Sequence, residues 1–216
     1  MTGLKRENIA MNKVIVFGTL SAGLLSFGLA FATPKEAVDQ VRGNADQMLL
    51  ILKKANGVND LSVRKEAENY ASPYFDFDLM TRLAVGAPWN RASAEQKQAL
   101  VKEHRAMLVR TYARQMLMYK DAKVTVHSNP AVKNGGKLLG NRQIVEVKAT
   151  IVPVGKQPVQ AVFSTYQNGS RYSVYNVAFE GVFDLVRSQR DQFAPVLKAK
   201  GIDGLIADLK AKNSGK

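Results

Sequence analysis

Cysteine is absent from this 216-residue chain, so neither a disulfide framework nor a thiolate metal site is available and the core must carry stability alone. Histidine is nearly absent too: His104 and His127 stand alone, without the H-E-x-x-H spacing that zinc hydrolysis needs. No G-x-S-x-G elbow, P-loop or G-x-G-x-x-G fingerprint occurs, and there is no internal repeat or low-complexity segment. Acidic residues are scarce, 18 against 31 basic, for a net charge of +13. Apolar runs long enough to span a bilayer are missing after residue 32, which predicts a soluble mature product.

The N-terminus has the pattern of a targeting segment. Lys13 supplies a positive flank, Val14 to Leu29 form an apolar run broken by Gly18, Gly23 and Gly28, and Ala30-Phe31-Ala32 is an A-x-A cleavage signature. This predicts a signal peptide over 1–32, cleavage between Ala32 and Thr33, and a periplasmic mature chain over 33–216. An uncleaved anchor is the competing reading, and translation from Met1 or from Met11 fits equally. Most of the positive charge lies outside the leader. It steers towards anionic lipid headgroups or an acidic protein, or serves solubility alone; export argues against nucleic acid.

Helical patterning occupies about 33–120. Pro34 and Glu36 suit a helix start, and Val38, Val41, Ala45, Met48, Leu49 and Leu52 recur at three- and four-residue steps. A break at Gly57 and Asn59-Asp60 precedes a second helix to about Tyr70, and a third short one ends at Gly86. Ser93 and Gln96 form a capping-box pair before the clearest helix, whose stripe runs through Leu100, Met107, Leu108, Tyr112, Met118 and Tyr119. The methionines of that stripe suit an adaptable core or a pocket wall.

From 123 to 179 the period becomes two. Lys123–His127, Arg142–Val152, Pro158–Tyr166 and Arg171–Phe179 read as four strands, with turns at Asn134-Gly135-Gly136 and Asn168-Gly169. Short connections predict an antiparallel meander in an α+β fold. Helices close the chain over about 183–212, with a kink or division expected at Pro195, a C-cap at Gly201 and an N-cap at Asp203.

Groups able to do chemistry are few. His104 falls within the apolar stripe and reads as a buried, hydrogen-bonded core histidine or as a functional one. Asp76 and Asp78 suit helix capping, and Glu180 suits a clamp at a strand-to-helix turn or a lone general base. Alternation instead marks an apolar wall: Val145, Val147, Ala149, Ile151, Val159, Ala161, Phe163, Val174 and Val177 from strands, with Met107 and Leu108 opposite. Neither a catalytic residue, a metal nor a cofactor is expected. An enzyme built on Glu180 with His104, and a ligand-free adaptor, are the alternatives.

Several segments resemble the MlaC family. They are Phe75-Asp76-Phe77, Met80, Gly86 and Trp89 with Ser93-Ala94-Glu95-Gln96-Lys97, then Arg110-Thr111-Tyr112, Tyr175-Asn176-Val177, Glu180-Gly181-Val182 and Gly201-Ile202-Asp203-Gly204-Leu205. The resemblance covers essentially the whole mature chain. It implies an NTF2-like four-stranded antiparallel sheet with a helical lobe around an apolar pocket for phospholipid acyl chains. It also implies a monomeric carrier exchanging phospholipid between an outer-membrane lipoprotein–porin complex and an inner-membrane ABC transporter complex with an MCE-domain subunit, maintaining outer-membrane lipid asymmetry. Asn176, Phe183 and His104 depart from the family pattern, where an aspartate, a serine and an aromatic are usual.

Overall fold

The structure, a computed structural model, describes residues 33–57, 60–180 and 183–214. The expected leader and its cleavage signature up to Ala32 lie outside the described residues. Among those described, no helix is long and apolar enough to cross a membrane.

Side chains at the helix starts explain where the helices begin. In α1 (Pro34–Lys53) the Glu36 carboxylate accepts from the Thr33 N–H at 3.2 Å. Asp60 caps α2 (Leu61–Ala71) through the Ser62 and Val63 N–H groups, and Asp76 caps α3 (Phe77–Val85) through Leu79 N–H at 2.9 Å. The capping box of α4 (Ala94–Met116) is complete: Gln96 N–H donates to Ser93 Oγ at 3.2 Å and Ser93 N–H donates to Gln96 Oε1 at 3.0 Å. A 3-10 turn (Leu117–Tyr119) follows.

The sheet has six strands among the described residues, not four: β1 (Lys123–Val126), β2 (Ala131–Gly135), β3 (Gly140–Val152), β4 (Val159–Asn168), β5 (Arg171–Phe179) and β6 (Phe183–Asp184). Pairing is antiparallel in the order β1-β3-β4-β5-β6, and β2 also pairs with β3. β1 meets residues 149–152 of β3 and β2 meets 143–146, so both lie end to end along one edge of that long strand. β2 was expected as turn because its Asn134-Gly135 has turn composition; its first four residues are exposed, so no alternation of burial marked it. A single-turn helix α5 (Gly136–Leu139) links it to β3.

The last helix, α6 (Leu185–Asn213), bears out the expected cap at Gly201 and not the expected division at Pro195. It runs through Pro195 without dividing there, and the break falls at Gly201, where φ is 65° and ψ −163°. A proline removes one N–H donor, whereas a positive φ stops the helical ladder altogether. Asp203 beyond the break accepts from the Gln96 side chain at 2.8 Å, tying α6 to the start of α4.

Both faces of the sheet are covered, each by different helices. On one face Val145, Val147 and Tyr172 pack with Ala37, Val38 and Val41 of α1. The register places Val145 and Val147 on the side opposite Ile144 and Tyr166. Those two residues join Tyr175 in a cluster with Leu79, Met80, Leu108 and Val186 of α3, α4 and α6. A third cluster joins α3, α4 and α6 around Leu100 and Phe193. A fourth, around Ile51, Leu52, Val63 and Leu117, closes the end where α1, α2 and the 3-10 turn meet.

Candidate functional site, an apolar strip beneath helix α1

Nine of the eleven expected wall residues lie on the sheet, and alternation and register place them in one patch on the α1 side. β4 pairing sets Val147 opposite Phe163, Ala149 opposite Ala161 and Ile151 opposite Val159; β5 pairing sets Phe163 opposite Val177 and Thr165 opposite Val174. Within this patch burial changes along the strands. Val145, Val147, Ala149, Ala161 and Val174 are buried, while Ile151, Val159, Phe163 and Val177 are half-buried. The half-buried rows continue into Val124, Val126 and Phe179, which were not expected as wall. They continue the same two-residue alternation as Ile151 and Val177, a signal present in the sequence.

Met107 and Leu108 are not opposite this strip. They pack in the cluster on the other face, with Ile144, Tyr166 and Tyr175. What covers the α1 side is α1 itself, held in an uneven way. The Gln40 amide donates to the Tyr172 carbonyl at 2.7 Å and accepts from the Tyr172 N–H at 2.9 Å, and the Tyr172 hydroxyl donates to the Thr33 carbonyl at 3.0 Å. These bonds fix the first half of α1 to the start of β5. Further along, Ala45, Met48 and Leu49 are only half-buried, and nothing lies within 4 Å of where a Gly43 Cβ would stand.

The candidate chemical groups His104, Glu180 and Asp76 each have structural partners, although the buried His104 Nε2 has none among the described residues. His104 is buried; its Nδ1 lies 3.0 Å from Thr81 Oγ1, whose hydroxyl also lies 2.6 Å from the Phe77 carbonyl, and its ring meets Phe193 edge-on. Burial pushes its pKa down from 6.5 to about 4, so the ring is neutral at ordinary pH. Glu180 is exposed and paired with Lys148 at 2.7 Å, which raises the lysine's pKa, while its N–H donates to the Gln160 carbonyl. His104 and Glu180 thus have separate partners and form no acid–base pair. Asp76 accepts from the Tyr166 hydroxyl as well as capping α3, and the buried Tyr166 is pushed up to about 12, first by burial and then by this carboxylate. No group of three or more His, Cys, Asp or Glu that could hold a metal occurs among the described residues.

Two clefts open elsewhere, one of about 390 Å³ between α3, β5 and α6 and one of about 500 Å³ between α2, α3 and α4. The first is lined by Leu83, Tyr175 and Val186 together with charged Asp184, Arg187 and Arg190. Asn176 borders it, donating to Asp184 Oδ2 at 2.9 Å while its carbonyl accepts from Val186 N–H. Phe183 packs against Tyr112, with ring centroids 6.2 Å apart.

The family model described as MlaC protein matches residues 42–211. The chain belongs to the MlaC family. Among individual relatives, the intermembrane phospholipid transport system binding protein MlaC of Haemophilus influenzae is 22% identical over 156 residues, covering 70% of this chain and 69% of that protein. A phospholipid-binding protein from Ralstonia solanacearum, solved in complex with a phospholipid, has the same fold. Its TM-score is 0.70 at 23% identity, over 83% of this chain and 98% of that one. The α+β architecture read from the sequence is therefore that of an MlaC-like fold, with additional strands.

Proposed function

We propose that this chain is an exported periplasmic carrier that holds phospholipid acyl chains against the α1 side of its sheet. Membership of the MlaC family, over residues 42–211, is the observation that carries the reading. Relatives named for phospholipid transport and for binding a phospholipid support the cargo. The half-buried strip of Ile151, Val159, Phe163 and Val177 supports its place. The physical need is plain: each acyl methylene exposed to water costs about 0.8 kcal/mol, so a free two-chain lipid crosses an aqueous space too rarely, and a carrier replaces the bilayer with apolar wall.

In this reading α1 is the movable cover. Its first half stays fixed by Gln40 and Thr33 on Tyr172 and its far end by Ile51 and Leu52 in the cluster with Val63 and Leu117, so the stretch between, around Ala45 and Leu49, is where the cover gives way to admit the chains. The lipid is exchanged between an outer-membrane lipoprotein–porin complex and an inner-membrane ABC transporter complex with its MCE-domain subunit, and the exchange maintains outer-membrane lipid asymmetry. The mature chain begins at Thr33 and works as a monomer.

Photo-crosslinking tests both cargo and place. With p-benzoylphenylalanine at Phe163, a phospholipid adduct is expected by mass; at Met107, on the other face, none is expected. Adducts at Met107 alone would move the cargo to the other face, and adducts at neither position would remove the carrier reading.

A further inference from the structure

Large hydrophobic side chains that remain exposed are few among the described residues, and their placement is not scattered. Leu50, Leu61, Met118 and Val154 are 58%, 72%, 58% and 75% exposed, and the fifth, Val132, is 44% exposed. The first three surround one cluster: Leu50 precedes Ile51, Leu61 opens the turn containing Val63, and Met118 follows Leu117, while Ile51, Val63 and Leu117 pack together. Val154 belongs to the same end through the sheet. Lys123, four residues after Tyr119, pairs with Val152, and the β3–β4 turn carries Val154 just beyond. Val132 instead sits on β2, paired with Val145 further along β3. Single exposed apolar residues mean little, but four large ones gathered around one end of the molecule call for a partner there.

The charge there indicates which partner. Lys53, Lys123 and Lys156 are exposed at this end and make no ion pair among the described residues. Lys120 reaches back to the Ala55 carbonyl at 3.3 Å. Of the carboxylates at this end, Asp60 accepts from the Ser62 hydroxyl and from the Val63, Asn56 and Ser62 N–H groups, which lower its pKa and keep it charged, and Glu66 is paired with Lys54 at 2.5 Å. Asp60 and Asp121 therefore stand against Lys53, Lys120, Lys123 and Lys156, and the end remains net positive. Apolar side chains standing proud among unpaired lysines match the interface of a bilayer: the leucines and methionine enter the acyl boundary while the ammonium groups stay with anionic headgroups. The end is also where the half-buried strip leads, since Val124, Ile151 and Val159 lie at the termini of β1, β3 and β4 nearest it.

We infer that this end, formed by Leu50, Leu61, Met118 and Val154 with Lys53 and Lys123, docks on the surface of an anionic phospholipid bilayer. The inference deepens the carrier reading, on which it rests for the meaning of the contact, but the contact is measurable without it. The chain from Thr33 onward falls within a compact unit, Ala32–Lys216, and is the form to use. Its sedimentation with vesicles of phosphatidylcholine alone and of phosphatidylcholine with phosphatidylglycerol should differ, binding appearing with the anionic lipid and weakening as salt rises. Leu61→Glu combined with Met118→Glu should weaken binding at least tenfold. Lys53→Gln and Lys123→Gln should weaken it about fivefold each, the effect of roughly one headgroup-level charge. Val132→Glu, also exposed but away from this end, should leave it unchanged. Circular dichroism checks that each variant is folded. No binding to anionic vesicles, or equal loss with Val132→Glu, overturns the inference; in the first case the charged end belongs to an acidic protein surface instead. Phospholipid that still co-purifies with a chain that ignores vesicles would separate this failure from failure of the carrier reading.

Discussion

The two faces of the sheet are built differently. On the α3, α4 and α6 side, large side chains interlock and polar bonds cross between layers: Asp76 joins the α3 cap to Tyr166, and Arg142 lies over the Tyr166 ring at 4.7 Å. On the α1 side a single helix covers the strands through alanine and valine, and its bonds to the sheet are gathered at Gln40 and Thr33. A face held by interlocked aromatics is hard to open. A face covered by one helix through small side chains, with a polar clamp at Gln40 and an apolar seat for Ile51 and Leu52 at the far end, has fewer contacts to break between those two points. That contrast is why the α1 face, and not the charged clefts, is the proposed place for acyl chains.

Substitutions can break the contrast, beginning with the largest effect. Val147→Asp places an unpaired carboxylate in a fully buried position under α1 and should cost on the order of 4 kcal/mol or unfold the chain. Phe163→Asp, on the half-buried strip beside it, should cost much less and leave a folded protein without lipid. Urea denaturation with lipid extraction separates the two, and equal destabilisation would erase the distinction between wall and core.

On the opposite side, His104 makes the helical lobe sensitive to acid. Its folded pKa of about 4 lies below the ordinary 6.5, so the unfolded chain takes up the proton first. Stability is full above pH 6.5 and declines as pH falls towards 4, by on the order of 3 kcal/mol in total. His104→Phe should flatten that decline between pH 7 and pH 4 in denaturation curves; an unchanged slope would mean the ring is not the group that titrates.

Asp76→Ala removes both the cap of α3 and the acceptor for Tyr166, an expected loss of about 2 kcal/mol. A double-mutant cycle with Tyr166→Phe should return a coupling near 1 kcal/mol, measured by denaturant midpoint. The smallest change is Gly43→Ala in the exposed middle of α1, where an added methyl meets nothing within 4 Å and should stabilise by about 1 kcal/mol. If α1 must lift to admit lipid, the same substitution should also slow lipid uptake from vesicles, whereas a passive cover would leave the rate unchanged.

Much of this organisation is legible in the sequence because it rests on local chemistry. Asp76, Ser93 with Gln96, and the alternation from Val145 to Ile151 each act through neighbours a few residues away. The tertiary choices are different. Nothing local to Met107 or Leu108 says which sheet face they meet, because a helical stripe fixes a side of the helix and not its partner. β2 escaped notice because an exposed edge strand has no face to bury, and β6 because two residues carry no period. The Gln40–Tyr172 clamp joins positions 132 residues apart and leaves no mark in either segment. Pro195 suggested a division that does not occur because a proline inside a helix costs one bond without ending the ladder, whereas Gly201, expected as a cap, takes a backbone conformation that does end it.

Mass spectrometry of solvent extracts from the natively purified chain tests the central claim most directly. The carrier account predicts phospholipid in near-stoichiometric amount with the native protein and its loss from folded Phe163→Asp. Native protein free of phospholipid, or a folded Phe163→Asp variant with undiminished lipid, would contradict it.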